Sequence, residues 1–287
     1  MKSTWMLVAG FLFALMGVLV KLASVRFSSP ELVFYRSLFG FVSIYIVIVA
    51  TTRQWLAPLV TRHAASHVRR GLAGFFALVM FFYGIAHLPL PTAITLNYTS
   101  PLFLAVITAW WLKERHGRGL TAAVVIGFVG VILLLQPGWG GQDMFARLAG
   151  LLSGVFAAVA YLNVRALGRE GEPEWRVVFY FTLIATLGGG IWMAGTGFVM
   201  PRITDVPLLL AMGATATLAQ LAMTRAYRLG HTLAVGALAY STVGFAALYG
   251  VLVFGDRLPL VAWAGMLLIV LAGLIGVWAS RGVAVEE

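Results

Sequence analysis

Three things are scarce in this chain of 287 residues: cysteine, charge, and acid in particular. Cysteine is absent, which excludes disulfides, thiolate metal sites and cysteine nucleophiles. Charged residues make up only 10% against 61% hydrophobic, and mean hydropathy is +0.95. So little polar surface cannot cover a soluble globule, and the chain reads as an integral membrane protein. The 10 Asp and Glu are outnumbered by 20 Lys and Arg, and no carboxylate falls deep inside an apolar run. That argues against a proton relay through an intramembrane carboxylate, and against a dedicated counter-ion for a cationic drug. No HExxH or G-x-x-x-x-G-K-[ST] spacing occurs, so neither a zinc hydrolase nor a P-loop ATPase is expected. An intramembrane enzyme would need a nucleophile with its base, or a metal cluster, and neither is visible. No stretch reads as a pore-lining ring of charge or carbonyls, as a channel requires. No cofactor is implied.

What the chain has in abundance is long apolar runs. A window of about 19 residues finds about ten of spanning length, near 4–22, 31–50, 68–87, 90–112, 119–136, 147–165, 176–194, 207–225, 232–254 and 259–279. The first is long for a signal peptide and ends at Val20-Lys21 without a small-residue cleavage site, so it reads as a retained helix. With the N-terminus inside, the cytoplasmic segments hold most of the cations, Arg53, Arg62, Arg69, Arg70, Lys113, Arg115 and Arg118 among them. The outer loops hold only Arg26, Arg147, Arg202 and Arg257. This positive-inside pattern puts both termini in the cytoplasm. It explains the net charge of +10 by insertion topology and contact with anionic lipid, without a nucleic-acid partner.

The chain also repeats itself. Gly10, Ala14, Gly17 and Lys21 share a face of the first span, and a shift of 144 residues gives Gly154, Ala158, Tyr161 and Arg165 in the sixth. Pro30-Glu31 before Phe34-Tyr35 is echoed by Pro173-Glu174 before Phe179-Tyr180. Tyr83 answers to Tyr227, and Tyr98, Ser100 and Glu114 answer to Tyr240, Thr242 and Asp256. These landmarks divide the chain into halves of five spans, 1–139 and 140–287. Because five is odd, the second half enters the membrane from the opposite side. The expected fold is all-α, ten transmembrane helices as two inverted-topology repeats, an architecture whose substrate sites lie near the midplane between the halves. Small-residue faces such as Gly10/Ala14/Gly17 and Gly150/Gly154/Ala158 allow close helix approach.

Within the fourth span, Thr95-Leu96-Asn97-Tyr98-Thr99-Ser100-Pro101 is polar. In a continuous helix Pro101 would free the carbonyl of Asn97 near mid-depth, and that acceptor must face protein or a water-filled cavity. Val243-Gly244 stands where the second half would need the corresponding proline, so the break is expected on one side only. Asn97, Tyr98, Ser100, Gln220, Tyr240 and Ser241 are the expected cavity residues, with Tyr83 and Tyr161 at its ends. Arg36 lies about 8 Å into its span at about 1.5 Å per residue, toward the outer mouth. It either snorkels or pairs with Glu31, or it attracts a carboxylate or phosphate through its planar fork. Pro101, Lys21, Arg165, Glu114 and Asp256 are assigned structural or gating roles.

The 5+5 layout resembles the drug/metabolite transporter superfamily, EamA type. So do Phe34-Tyr35-Arg36-Ser37, Pro101-Leu102-Phe103 followed by Trp111-Leu112-Lys113-Glu114-Arg115, and the Gly-rich fifth span ending at Leu135-Gln136-Pro137. The resemblance implies ten helices, inward termini and transport of metabolites, amino acids or related small molecules. The expectation is a monomeric or homodimeric secondary transporter in a bacterial inner membrane, contacting lipid. A zwitterionic or anionic substrate suits Arg36 best, moved by an exporter or exchanger. An uptake carrier for a nutrient or cofactor-like molecule, or a multidrug exporter of lipophilic cations, are the alternatives.

Overall fold

A computed structural model describes residues 4–55, 57–111, 118–135, 144–229 and 238–279. The described secondary structure is entirely helical: α1 (Trp5–Ala23), α2 (Ser29–Thr52), α3 (Ala64–His87), α4 (Leu90–Asn97), α5 (Ser100–Trp111), α6 (Arg118–Leu135), α7 (Met144–Arg169), α8 (Glu174–Thr196), α9 (Val206–Leu229), α10 (Ser241–Phe254) and α11 (Leu260–Ala279). Six of these are long and apolar enough to cross a bilayer. Bulky side chains such as Ile46, Val47, Ile132, Leu187, Ile191 and Leu252 are exposed on the outside, as lipid-facing helices require. The chain is an integral membrane protein.

Local chemistry sets where the helices start. Ser28 opens α2 with a capping box: its N–H and Oγ both donate to Glu31 Oε2, at 2.6 and 2.7 Å. Pro30 sits in the first turn, where an N–H would have no partner. The other Glu31 oxygen accepts the backbone N–H of Val199 at 2.6 Å, so Glu31 stitches the segment after α8 to the start of α2. It is not an ion-pair partner for Arg36.

The expected fourth span is two helices. α4 stops at Asn97, Tyr98 and Thr99 form a turn, and α5 restarts at Ser100. Pro101 therefore lies at the second position of a new helix, where it costs no hydrogen bond, rather than kinking a continuous one. The Thr99 hydroxyl donates to the Leu96 carbonyl at 2.6 Å, taking up an acceptor left by the break. The expectation of a one-sided break is corrected by the second half. Leu238 and Ala239 are helical, Tyr240 is a turn, and α10 begins at Ser241. There the Thr242 hydroxyl donates to the Ala239 carbonyl at 2.8 Å. In both halves a threonine hydroxyl competes with the backbone for an i−3 carbonyl, so no proline is needed.

Helix pairing follows the same symmetry. α1 packs on α9, α3 on α7, α2 on α8, α6 on α11, and α4 on α10. Exchanging each span with its counterpart five spans later leaves this set unchanged. The glycines explain the closest approaches. A Cβ at Gly10 would lie 2.8 Å from Ser241 Oγ and 2.9 Å from Thr242 Oγ1; one at Gly154, 144 residues later, would lie 2.5 Å from Thr99 Oγ1 and 3.0 Å from the Leu96 carbonyl. Equivalent glycines thus cradle the two breaks. The Asn97 carbonyl, 3.3 Å from the same Gly154 position, is covered by α7.

Candidate functional site

Between these helices lies a cavity of about 140 Å³. Phe13 and Met16 of α1, Ile94 and Asn97 of α4, and Tyr98 and Ser100 at the first break contribute to it. Thr242 comes from the second break, Gln220 and Met223 from α9, and Tyr161 from α7. The two breaks are tied across it: Tyr98 donates its hydroxyl to Thr242 Oγ1 at 2.9 Å, and Asn97 Nδ2 donates to Ser153 Oγ of α7 at 3.0 Å. Asn97, Tyr98, Ser100, Gln220, Tyr161 and Arg36 are thus brought to one cavity. Tyr161, 44% exposed, stands at its rim.

Three other expected residues are not among the lining. Tyr240 is buried, its ring 6.2 Å from that of Tyr98. It fills the room left by Gly273 of α11, where a side chain would collide with the ring. Ser241 faces Gly10 of α1. The cavity residue of this break is Thr242, because one step along a helix turns the side chain by about 100°. Tyr83 stacks on His87 with ring centroids 4.0 Å apart and meets Phe145 edge-on, away from the lining.

Arg36 does not snorkel. It is 6% exposed, lines the cavity, and lies with its guanidinium carbon 5.8 Å from the centre of the Phe181 ring. A second cation, counted from the sequence among the cytoplasmic segments at the start of the third span, joins it. Arg70 is 7% exposed, lines the same cavity, and stacks on the same ring at 4.2 Å. α3 begins at Ala64, four residues before the expected span, so Arg70 lies in its second turn rather than at its tip. Gly74, one turn on, leaves room for the Arg70 guanidinium and Phe181 alike. Both distances run to one ring centre, so the guanidinium carbons are at most about 10 Å apart. At an effective dielectric of about 20, that separation means about 2 kcal/mol of repulsion. None of the lining residues is acidic, and among the described residues neither arginine has a carboxylate within 4.0 Å.

Two polar clusters lie beyond the cavity. At one end Lys21 Nζ donates to the Leu88 carbonyl at 3.0 Å and lies 3.7 Å from Asp256 Oδ1, while Asp256 Oδ2 accepts the Leu90 N–H at 3.0 Å. Gly17 packs on Leu90 and Ile94 just beneath. At the other end Glu172 accepts from Thr61 Oγ1 at 2.5 Å and from Arg176 at 3.0 Å, and lies 3.4 Å from buried His67. Burial alone would raise the Glu172 carboxyl, but hydrogen bonds from Thr61 and Arg176, the charge of Arg176 and the nearby His67 ring hold it below the ordinary carboxylate value. Glu114 and the side chain of Arg165 lie outside the described residues.

A many-span helical bundle with two broken helices meeting at a small cavity, apolar-walled but holding two arginines, is the architecture of a membrane transport protein. Comparison with known proteins specifies which kind. The sequence model of the EamA-like transporter family matches residues 2–136. A pseudopaline exporter of Pseudomonas aeruginosa is 34% identical over 270 residues, covering 92% of this chain and 91% of its own. A riboflavin transporter of Vibrio cholerae is 28% identical over 282 residues, covering 97% and 94%. An S-adenosylmethionine uptake transporter of Rickettsia bellii is 21% identical over 266 residues, covering 92% and 89%. A solved crystal structure, 18% identical, superposes with a TM-score of 0.66 over 98% of this chain and 100% of its own, which shows a shared fold. The chain belongs to the EamA-like, drug/metabolite type of transporter. It is a small-molecule transporter, not an enzyme.

Proposed function

We propose that the protein is a secondary transporter that moves a small zwitterionic or anionic metabolite across a bacterial inner membrane by alternating access, as an exporter or exchanger. The observation that carries this reading is the buried Arg36, which lines the cavity with no carboxylate beside it. A guanidinium held in a bilayer without a counter-ion is costly, and a substrate carboxylate would relieve that cost bidentately. The same charge opposes lipophilic cations. A cavity of about 140 Å³ is below the roughly 300–1,000 Å³ of drug-sized sites, which favours a metabolite. The relative named as an exporter is more similar to this chain than the one named for uptake, which favours outward transport.

The halves 1–139 and 140–287 act as inverted repeats in this reading, supported by the exchange-invariant helix pairing and the paired breaks. Both termini are cytoplasmic, following the distribution of cations in the loops. Asn97, Tyr98, Ser100, Gln220 and Thr242 contact the substrate, Tyr161 lies at the rim, and Tyr240 positions Tyr98. The Lys21–Asp256 cluster, above the apolar plug of Leu90 and Ile94, closes the outer end.

Thermal unfolding of the purified protein across amino acids, nucleosides, vitamins and quaternary amines at millimolar concentration tests this reading. A ligand at 100 times its Kd stabilises by about 2.7 kcal/mol. Stabilisation by zwitterions or carboxylates, followed by counterflow of the same compound in liposomes, is expected. Stabilisation by lipophilic cations alone overturns the reading.

A further inference from the structure

Arg70 adds a second charge to the cavity, and charge balance then restricts the substrate further. We infer that the substrate carries two anionic groups, one held by Arg36 and the other by Arg70. This inference rests on the reading of the cavity as the transport site. Both guanidinium groups come from different helices, α2 and α3, to one aromatic ring, that of Phe181. The space is built for the arrangement: a side chain at Gly74 would collide with Arg70 Nη1 and with Phe181. Among the described lining residues, drawn from α1, α2, α3, α4, α5, α7, α8, α9 and α10, Arg36 and Arg70 are the only charged groups. Carboxylates at the ends of these helices are engaged elsewhere: Glu31 with Ser28 and Val199, Asp256 with Lys21 and Leu90, and Glu172 with Thr61 and Arg176. The protein therefore leaves two positive charges for the ligand to neutralise. One carboxylate would leave the occupied cavity with a net cation, whereas two bring it to neutrality. Two guanidinium carbons at most about 10 Å apart are within reach of both ends of a short dicarboxylate or acidic amino acid. Asn97, Gln220 and Tyr98 line the same cavity and offer polar atoms to an amino or hydroxyl group of the same ligand.

The test is thermal unfolding of the full-length protein in detergent with matched pairs that differ by one charge: L-glutamate against L-glutamine, L-aspartate against L-asparagine, and glutarate against valerate. The acidic member of each pair should bind at least ten-fold tighter, since the other member lacks one charge-assisted contact. Arg36→Gln and Arg70→Gln should each bring a pair to within two-fold of one another. Arg70→Lys should keep part of the preference, because a point charge remains without the planar fork. Monodisperse elution of each variant shows that it is folded. Equal binding of glutamate and glutamine by the wild-type protein overturns the two-anion inference and leaves the broader reading standing. Equal stabilisation by sulfate or chloride overturns it as well. A panel in which no dianion binds, while neutral or cationic metabolites do, overturns both.

Discussion

Asp256→Asn isolates the role of the cluster beyond the cavity. The carboxylate lies 3.7 Å from Lys21 Nζ and accepts the Leu90 N–H at 3.0 Å; the side chains of Lys21 and Asp256 are 19% and 11% exposed. Asparagine keeps an oxygen for Leu90 but removes the charge. Breaking a fully buried ion pair by removing one partner costs about 3–5 kcal/mol. Partial hydration and the long distance reduce this to roughly 2 kcal/mol, since solvent screens exposed pairs. If the cluster exists only when this end is closed, the whole difference falls on the closed state. An equilibrium between closed and open then moves about 30-fold, at about 1.4 kcal/mol per factor of ten. The absence of cysteine provides a background-free assay. Met16 lines the cavity five residues before Lys21 on α1, about 7.5 Å along a helix. A Met16→Cys variant in membrane vesicles is labelled with an impermeant thiol reagent from the Lys21 end, with and without Asp256→Asn. Labelling about 30-fold faster in the double variant, with altered flux, is expected. A rate within two-fold of the single variant, with transport unchanged, refutes the argument and makes the cluster a static brace.

Three further outcomes follow from the geometry. Gly265→Ala places a Cβ 2.8 Å from the Gly130 carbonyl and from the Leu134 N–H, and overpacking of this kind costs about 1–3 kcal/mol; its melting temperature should fall while that of Gly168→Ala, which has nothing within 4 Å, holds or rises. Glu172 titrates below its ordinary value of 4.5, so its contribution is complete above that pH and is lost as pH falls through the folded value; Glu172→Gln should flatten the acid limb of a melting-temperature profile, and an unchanged profile counts against it. Tyr98→Ala and Gln220→Ala should each lower liposome flux with expression intact, and wild-type flux in both removes the site assignment.

Much of the architecture was written in hydropathy. Apolar runs located most of the helices to within a few residues, and internal shifts of 144 and 142 residues suggested the pairing of spans that the helix contacts follow. Asn97, Tyr98, Ser100 and Gln220 were legible because polar side chains in an apolar span need a partner or a cavity. Arg36 was legible as a cation inside a span. Arg70 was not: beside Ser66, His67 and Arg69 it stands at the very start of the expected span 68–87 and counts with the cytoplasmic cations, and only the packing of α3 against its neighbours carries its side chain inside. The Thr242 break carries no proline, so its signal was a threonine whose hydroxyl takes an i−3 carbonyl, a pattern shared by threonines in unbroken helices such as Thr182.

The sequence alone determined that this chain lives in a bilayer, where its apolar helices lie and where its first polar break falls, because those follow from the solvation of side chains along one dimension. Tertiary structure decided which of those polar groups meet. It turned Ser241 toward α1 and Thr242 toward Tyr98, covered the Asn97 carbonyl with Gly154, and assigned Glu31 to capping rather than to Arg36. Above all it brought Arg36 and Arg70, 34 residues apart in the chain, to one phenylalanine ring. Such a meeting depends on how α2, α3 and α8 pack against one another, and no local preference along the chain encodes it.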